Sequence, residues 1–106
     1  MNLFDNEEAA KDAIFRALAH EHRRIILEYL ADQPEEEVDC TDVVDNLSLN
    51  DTTEADYEAL DIQCHHAHFP KLDESGLIIL DVDKDTIHIV RRETIEKLAD
   101  LIDVLE

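Results

Sequence analysis

Backbone breakers are almost absent from this chain, and that absence narrows the folds open to it. Among 106 residues there is a single glycine, Gly76, and two prolines, Pro34 and Pro70. Tight turns rely on such residues. A chain with so few of them, and with abundant Leu, Ile, Ala, Glu and Asp, points to a mainly α domain. The length suits one domain with one modest core.

The apolar spacing fills in that outline. Ala10, Ile14, Ala17 and Leu18 predict a first helix over 6–19, with Asn6 as N-cap and Glu7 and Glu8 in its first turn. Ile25, Ile26, Tyr29 and Leu30 predict a second over 21–32. Pro34 and Glu35-Glu36-Glu37 make a solvated turn, and Val38 and Cys40 flank Asp39 as a very short strand. Thr41 then caps a third helix carrying Val43, Val44 and Leu47, and 48–53 reads as a polar loop. A longer helix is expected from about Glu54 to Ser75, ended by Gly76. Pro70 lies inside it and predicts a kink or break near 66–70. Leu77–Val82 and Thr86–Val90 form a hairpin around Asp83-Lys84-Asp85. Ile95, Leu98, Leu101, Ile102 and Leu105 predict a last helix over 94–105.

Charge sets the conditions under which this domain holds together. Asp and Glu number 28 against nine Lys and Arg, a net charge of −19. At low ionic strength that density opposes compaction. In molar salt the Debye length falls to about 3 Å and the repulsion is screened. The acids are dispersed, only four of the nine cations are Lys, and the hydrophobic share is a normal 44%. Such a balance fits a protein adapted to very high salt better than an acidic tail that binds a basic partner.

Cys40 and Cys64 read as free thiols rather than a disulfide. No signal-type N-terminus and no apolar run of membrane-span length is visible, so a cytoplasmic location without membrane association is expected. The sequons Asn46-Leu47-Ser48 and Asn50-Asp51-Thr52 are read as chance.

Two stretches carry a resemblance. Ala17-Leu18-Ala19-His20-Glu21-His22-Arg23-Arg24-Ile25-Ile26-Leu27-Glu28-Tyr29-Leu30 resembles the second-helix signature of ArsR-like winged helix-turn-helix regulators. His68-Phe69-Pro70-Lys71-Leu72-Asp73-Glu74-Ser75-Gly76-Leu77 resembles the end of their recognition helix and its turn into the wing. The segment from His65 to Leu72 is similar to that of small, acidic haloarchaeal winged-helix proteins. The resemblance implies a winged helix-turn-helix over residues 1–106. Its helix-turn-helix would lie at about 41–75, its wing at about 77–90 and its C-terminal helix at about 93–105. It implies a haloarchaeal transcription regulator that binds double-stranded DNA, paired as a homodimer through its terminal helices. The paired stripes would be Ile95, Leu98, Ile102 and Leu105 with Ile14 and Leu18, unless these simply close the monomer's core. The rival reading is a winged-helix module that docks on another protein and does not bind DNA.

A helical wheel of the long helix gathers Ala59, Gln63, His66 and Ala67 on one side, with His65, Phe69 and Leu72 on the other. Gln63 can pair bidentately with adenine, and His66 can donate to guanine or phosphate. By the resemblance, His66 and Ala67 occupy base-proximal positions. Lys71, Lys84 and Arg91 are the expected phosphate contacts. For Arg23 and Arg24, pairing with nearby acids is the plainer expectation. Cys64 and His68 stand i, i+4, and with His20, His22, His65, His66 or Cys40 they could form a metal set. There is no Cys-x-x-Cys pair, so packing is the plainer reading, and no metal or cofactor is expected. No acid–base pair or glycine-rich phosphate loop marks an enzyme, and none is expected.

Overall fold

The computed structural model describes residues 3–51, 53 and 55–105, with side chains from residue 8 onward. Helix α1, Leu3–Leu18, starts before Asn6. That residue therefore lies inside the helix, not at its cap, and its side chain and that of Glu7 lie outside the described ones. Helix α2, Glu21–Asp32, has His20 as its N-cap, whose Nδ1 accepts the His22 backbone N–H at 3.0 Å.

The end of α1 is capped from α2. Arg23 Nε donates to Ala17 O at 3.1 Å and Nη2 to Arg16 O at 2.8 Å, while Arg24 Nη1 donates to Leu18 O at 2.6 Å. The last carbonyls of a helix lack intrahelical partners, and guanidinium groups satisfy them well. This corrects the sequence expectation for Arg23, which lies within ion-pair range of no carboxylate among the described residues.

Strand β1, Glu37–Asp39, leads directly into α3, Cys40–Asn50. The helix begins one residue ahead of Thr41, so Asp39 and not Thr41 holds the N-cap position. It also runs through 48–50, where a loop was expected. Glu54, the expected start of the long helix, lies outside the described residues. The helix is continuous from α4, Tyr57–Gln63, through a π-helical turn, Cys64–His68, into α5, Phe69–Glu74. Pro70 does not break it. Proline removes one donor and crowds the carbonyl four residues back. Here the turn ahead of it widens, so the Phe69 N–H reaches Cys64 O five residues back.

Gly76, at φ 80, ends this helix in the left-handed region. Strands β2, Ile78–Asp81, and β3, Thr86–Ile89, form an antiparallel hairpin, and β1 pairs on the far side of β3, giving the order β1-β3-β2. In that register Val38 and Leu80 both oppose Ile87. Asp85 closes the turn at φ 55, a conformation Asp tolerates better than most residues.

Helix α6, Arg92–Leu105, packs on α2, the most extensive helix contact in the fold. The core joins Ile26, Leu27 and Leu30 of α2 to Val43, Val44 and Leu47 of α3, with Leu60, Phe69, Leu72, Ile87 and Ile95 closing it. Each such side chain contributes roughly 1.5–3 kcal/mol by leaving water. Ile95 and Ile102 are buried and Leu98 packs against the core. Most of the stripe assigned to dimerisation therefore closes the monomer instead. Its last member, Leu105, stays exposed. The result is a mainly helical domain with a small antiparallel sheet. Among the described residues no helix is long and apolar enough to cross a membrane.

Candidate nucleic-acid interface

The long helix is positioned at both ends. At its start Asp56 caps it, its Oδ1 accepting the Ala59 N–H at 2.8 Å. Its carboxylate thus satisfies an orphan donor and complements the helix dipole. The Tyr57 hydroxyl is hydrogen-bonded to Asp45 of α3, which with burial and the nearby acids lifts its pKa to about 12. At the other end Asp73 Oδ2 accepts the Leu80 N–H at 2.8 Å, tying α5 to the hairpin.

Between these anchors the helix divides largely as the wheel predicts, except that His65, expected on the core side, is half-buried and turns out to the hairpin. Gln63 and His66 are exposed, with Ala59 and Ala67 half-buried beside them. Phe69 and Leu72 are fully buried, and the half-buried His65 ring meets Phe69 edge-on at 5.2 Å. Lys71, Lys84 and Arg91 are all exposed, Lys84 within the hairpin turn. Arg92 is not available in the same way. It donates to Gln33 O at 2.7 Å and Glu35 O at 2.8 Å, holding the turn after α2.

His65 joins this helix to the hairpin. Its Nδ1 lies 2.9 Å from Asp61 O and its Nε2 2.7 Å from Asp85 Oδ1. Both partners only accept, so the ring donates from both nitrogens, which is the protonated form. Burial opposes that charge, but the bonds to Asp61 and Asp85 and their carboxylates prevail and raise the pKa. Cys40 sits beneath the same junction, its backbone N–H on Asp85 O at 3.0 Å.

The cysteines themselves are free and buried. Burial, aided by nearby acids, pushes both thiols up to about 12, so neither is a ready nucleophile or ligand. Among the described residues the i, i+4 pair Cys64 and His68 is not brought into one ligand set. His68 instead groups with His20 and His22, while Cys40 groups with His65 and Asp85. The spacing His20-x-His22 was the available sequence signal for the first group. Its partner on a helix 46 residues later was visible only once α2 packed near the π turn.

Comparison with known proteins adds one relationship. A family model described as a domain of unknown function, DUF7344, matches residues 15–88. No curated protein and no solved structure matches the chain.

Proposed function

The chain belongs to the DUF7344 family, and from that footing we propose that it is a winged helix-turn-helix regulator that binds double-stranded DNA. In this reading α3 and the long helix form the helix-turn-helix, and β2–β3 is the wing. The observation that carries it is the distribution of acid. Residues 62–72 hold no Asp or Glu, the longest such stretch in a chain with 28 acids, and they include three His and one Lys. Gln63, His66 and Lys71 on that stretch are exposed. A helix surface kept clear of carboxylate in so acidic a chain is suited to a polyanion.

Roles follow from chemistry and position. Gln63 and His66 read base edges beside Ala67, while Lys71, Lys84 and Arg91 set register on the phosphates. With only nine Lys and Arg in the chain, affinity rests on shape and base contacts more than on counterion release. We further propose a homodimer through the terminal helices. Phe15 of α1 and Val104 and Leu105 of α6 are 68%, 81% and 77% exposed, and a groove of about 350 Å³ lined by Leu18, Arg24, Leu101, Ile102 and Leu105 lies between these elements.

Footprinting on genomic DNA in molar KCl is the test. Gln63→Ala should cost about 1–3 kcal/mol on the preferred site and little on random DNA, whereas Lys84→Ala weakens both about equally. Unchanged site binding by both Gln63→Ala and His66→Ala would sink base readout by this helix. The rival, a protein-docking module, has its own observation in the acidic groove between α2 and α3, lined by Glu21, Glu28 and Asp32. A co-purifying basic partner together with no DNA enrichment would decide for it.

A further inference from the structure

Arg23 is a buried cation held by neutral groups alone. It is 6% exposed, and its guanidinium meets Ala17 O, Arg16 O and His68 Nδ1. Buried charges as a rule lie against an opposite charge. Among the described residues of a chain with 28 acids, no carboxylate comes within ion-pair range of this one.

Beside it, at the N-terminus of α2, three imidazoles pack together. The ring centroids of His20, His22 and His68 lie 4.7–5.4 Å apart, and one ring nitrogen of each lies within 4.8 Å of the others. His22 Nδ1 and His68 Nε2 are buried with no hydrogen-bond partner among the described residues. His20 is exposed, so the group opens to solvent on its side.

The existing hydrogen bonds fix where the protons are. A guanidinium only donates, so His68 Nδ1 at 3.1 Å from Arg23 Nη1 is a lone pair and Nε2 carries the hydrogen. The His22 backbone N–H donates to His20 Nδ1, so in the neutral ring His20 Nε2 is likewise an N–H. A carboxylate only accepts, so His22 Nε2 donates to Asp51 Oδ1 at 2.9 Å. A metal ion takes lone pairs. It would find one on His22 and none on the outer nitrogens of the other two rings, with a guanidinium alongside.

We propose that this group is a binding site for a small inorganic anion of halide size, with His68 Nε2–H as its buried donor and Arg23 as its counter-charge. The charged groups facing the site are Glu21 and Arg24 of α2, Asp51 after α3 and Lys71 of α5. Occupancy would tie the last turn of α1, the start of α2 and the π turn into one unit. The site does not depend on the DNA-binding reading. Free halide and a phosphate oxygen of bound DNA share the required chemistry.

The test holds the full chain at constant molar potassium and replaces chloride with gluconate, an organic anion far larger than a halide. Chloride should favour the folded state about tenfold over gluconate once it exceeds its dissociation constant about tenfold. His68→Gln should abolish the chloride preference. Crystals grown in bromide should show its anomalous signal beside His68 Nε2, and this reading stands even where a variant does not fold. Protection that appears only on addition of a DNA duplex supports the anion site and assigns it to backbone phosphate. Equal melting in both salts with no bromide at the three rings overturns the proposal, as does cobalt(II) binding with three-nitrogen ligand-field bands.

Discussion

His65 and His68 belong to one π-helical turn, yet they sit in opposite electrostatic surroundings. His65 faces outward into the acid excess and is held by Asp61 and Asp85, which raise its pKa against the effect of burial. His68 faces inward. Burial, then the neighbouring His20, Arg23, His22 and Lys71, hold its pKa down at about 4. The same side chain in the same helix is thus a cation on one face and a neutral donor–acceptor on the other. In this chain the carboxylates govern the surface, while a small buried cluster is organised around a guanidinium.

The largest expected break in that contrast comes from salt. The surface acids repel one another without screening, whereas charges inside the buried histidine–arginine cluster are screened far less by salt. Transfer from molar KCl to dilute buffer should abolish cooperative melting, followed by circular dichroism. Full helicity and an unchanged melting temperature would show that the acid excess does not set stability.

Acid should come next. An unfolded histidine titrates near about 6.5, and His68 in the folded chain only at about 4. Above the unfolded value both states are neutral and this contribution is fully present. As pH falls through that window the unfolded chain takes up a proton that the folded pocket refuses. Up to about 3 kcal/mol is then lost. Urea midpoints at several pH values should show this slope in the wild type and not in His68→Gln. His65 has the opposite sign. Its raised pKa contributes stability below the unfolded value, and this is lost as pH rises through the folded one.

Two substitutions sharpen the comparison at smaller scale. Asp51→Asn weakens the acceptor for His22 Nε2 and for the Thr53 hydroxyl at 2.7 Å. It should cost about 1.5–3 kcal/mol in chemical denaturation. Asp85→Asn preserves the left-handed turn, which Asn also tolerates, and removes the carboxylate from His65. The His65 ring resonances should then titrate at lower pH, with a stability loss of no more than about 1 kcal/mol. No downward movement would mean that Asp85 does not hold the charge.

Local signals carried the sequence reading far where the determinant was local. The spacing of Ile26, Leu27 and Leu30 marked α2, Asp83-Lys84-Asp85 marked the hairpin turn, and the wheel placed Gln63 and His66 outward. Misjudged features depended on partners distant in the chain or on a change of helical pitch. Arg23 caps the carbonyls of another helix, which no charge pattern discloses. Ile95 and Ile102 looked like interface because the groove on α2 that receives them is a tertiary product. Pro70 looked like a break because a wheel assumes uniform pitch. The histidine group needed α2 and the π turn to meet before His20, His22 and His68 became neighbours.

The π turn has a rotational consequence. Each residue of an α-helix advances the chain by about 100°, and a wider turn accommodates one residue more than an α-helical turn would. Cys64–His68 therefore acts as a phase shifter, setting the angular offset between Gln63 ahead of it and Lys71 behind it. Deleting one residue within it would restore uniform pitch and leave Phe69, Leu72 and Lys71 close to their present directions, whereas the same deletion in a regular helix would swing them by about 100°. The core and the outward face share a single angular setting, and Pro70 keeps that setting from relaxing.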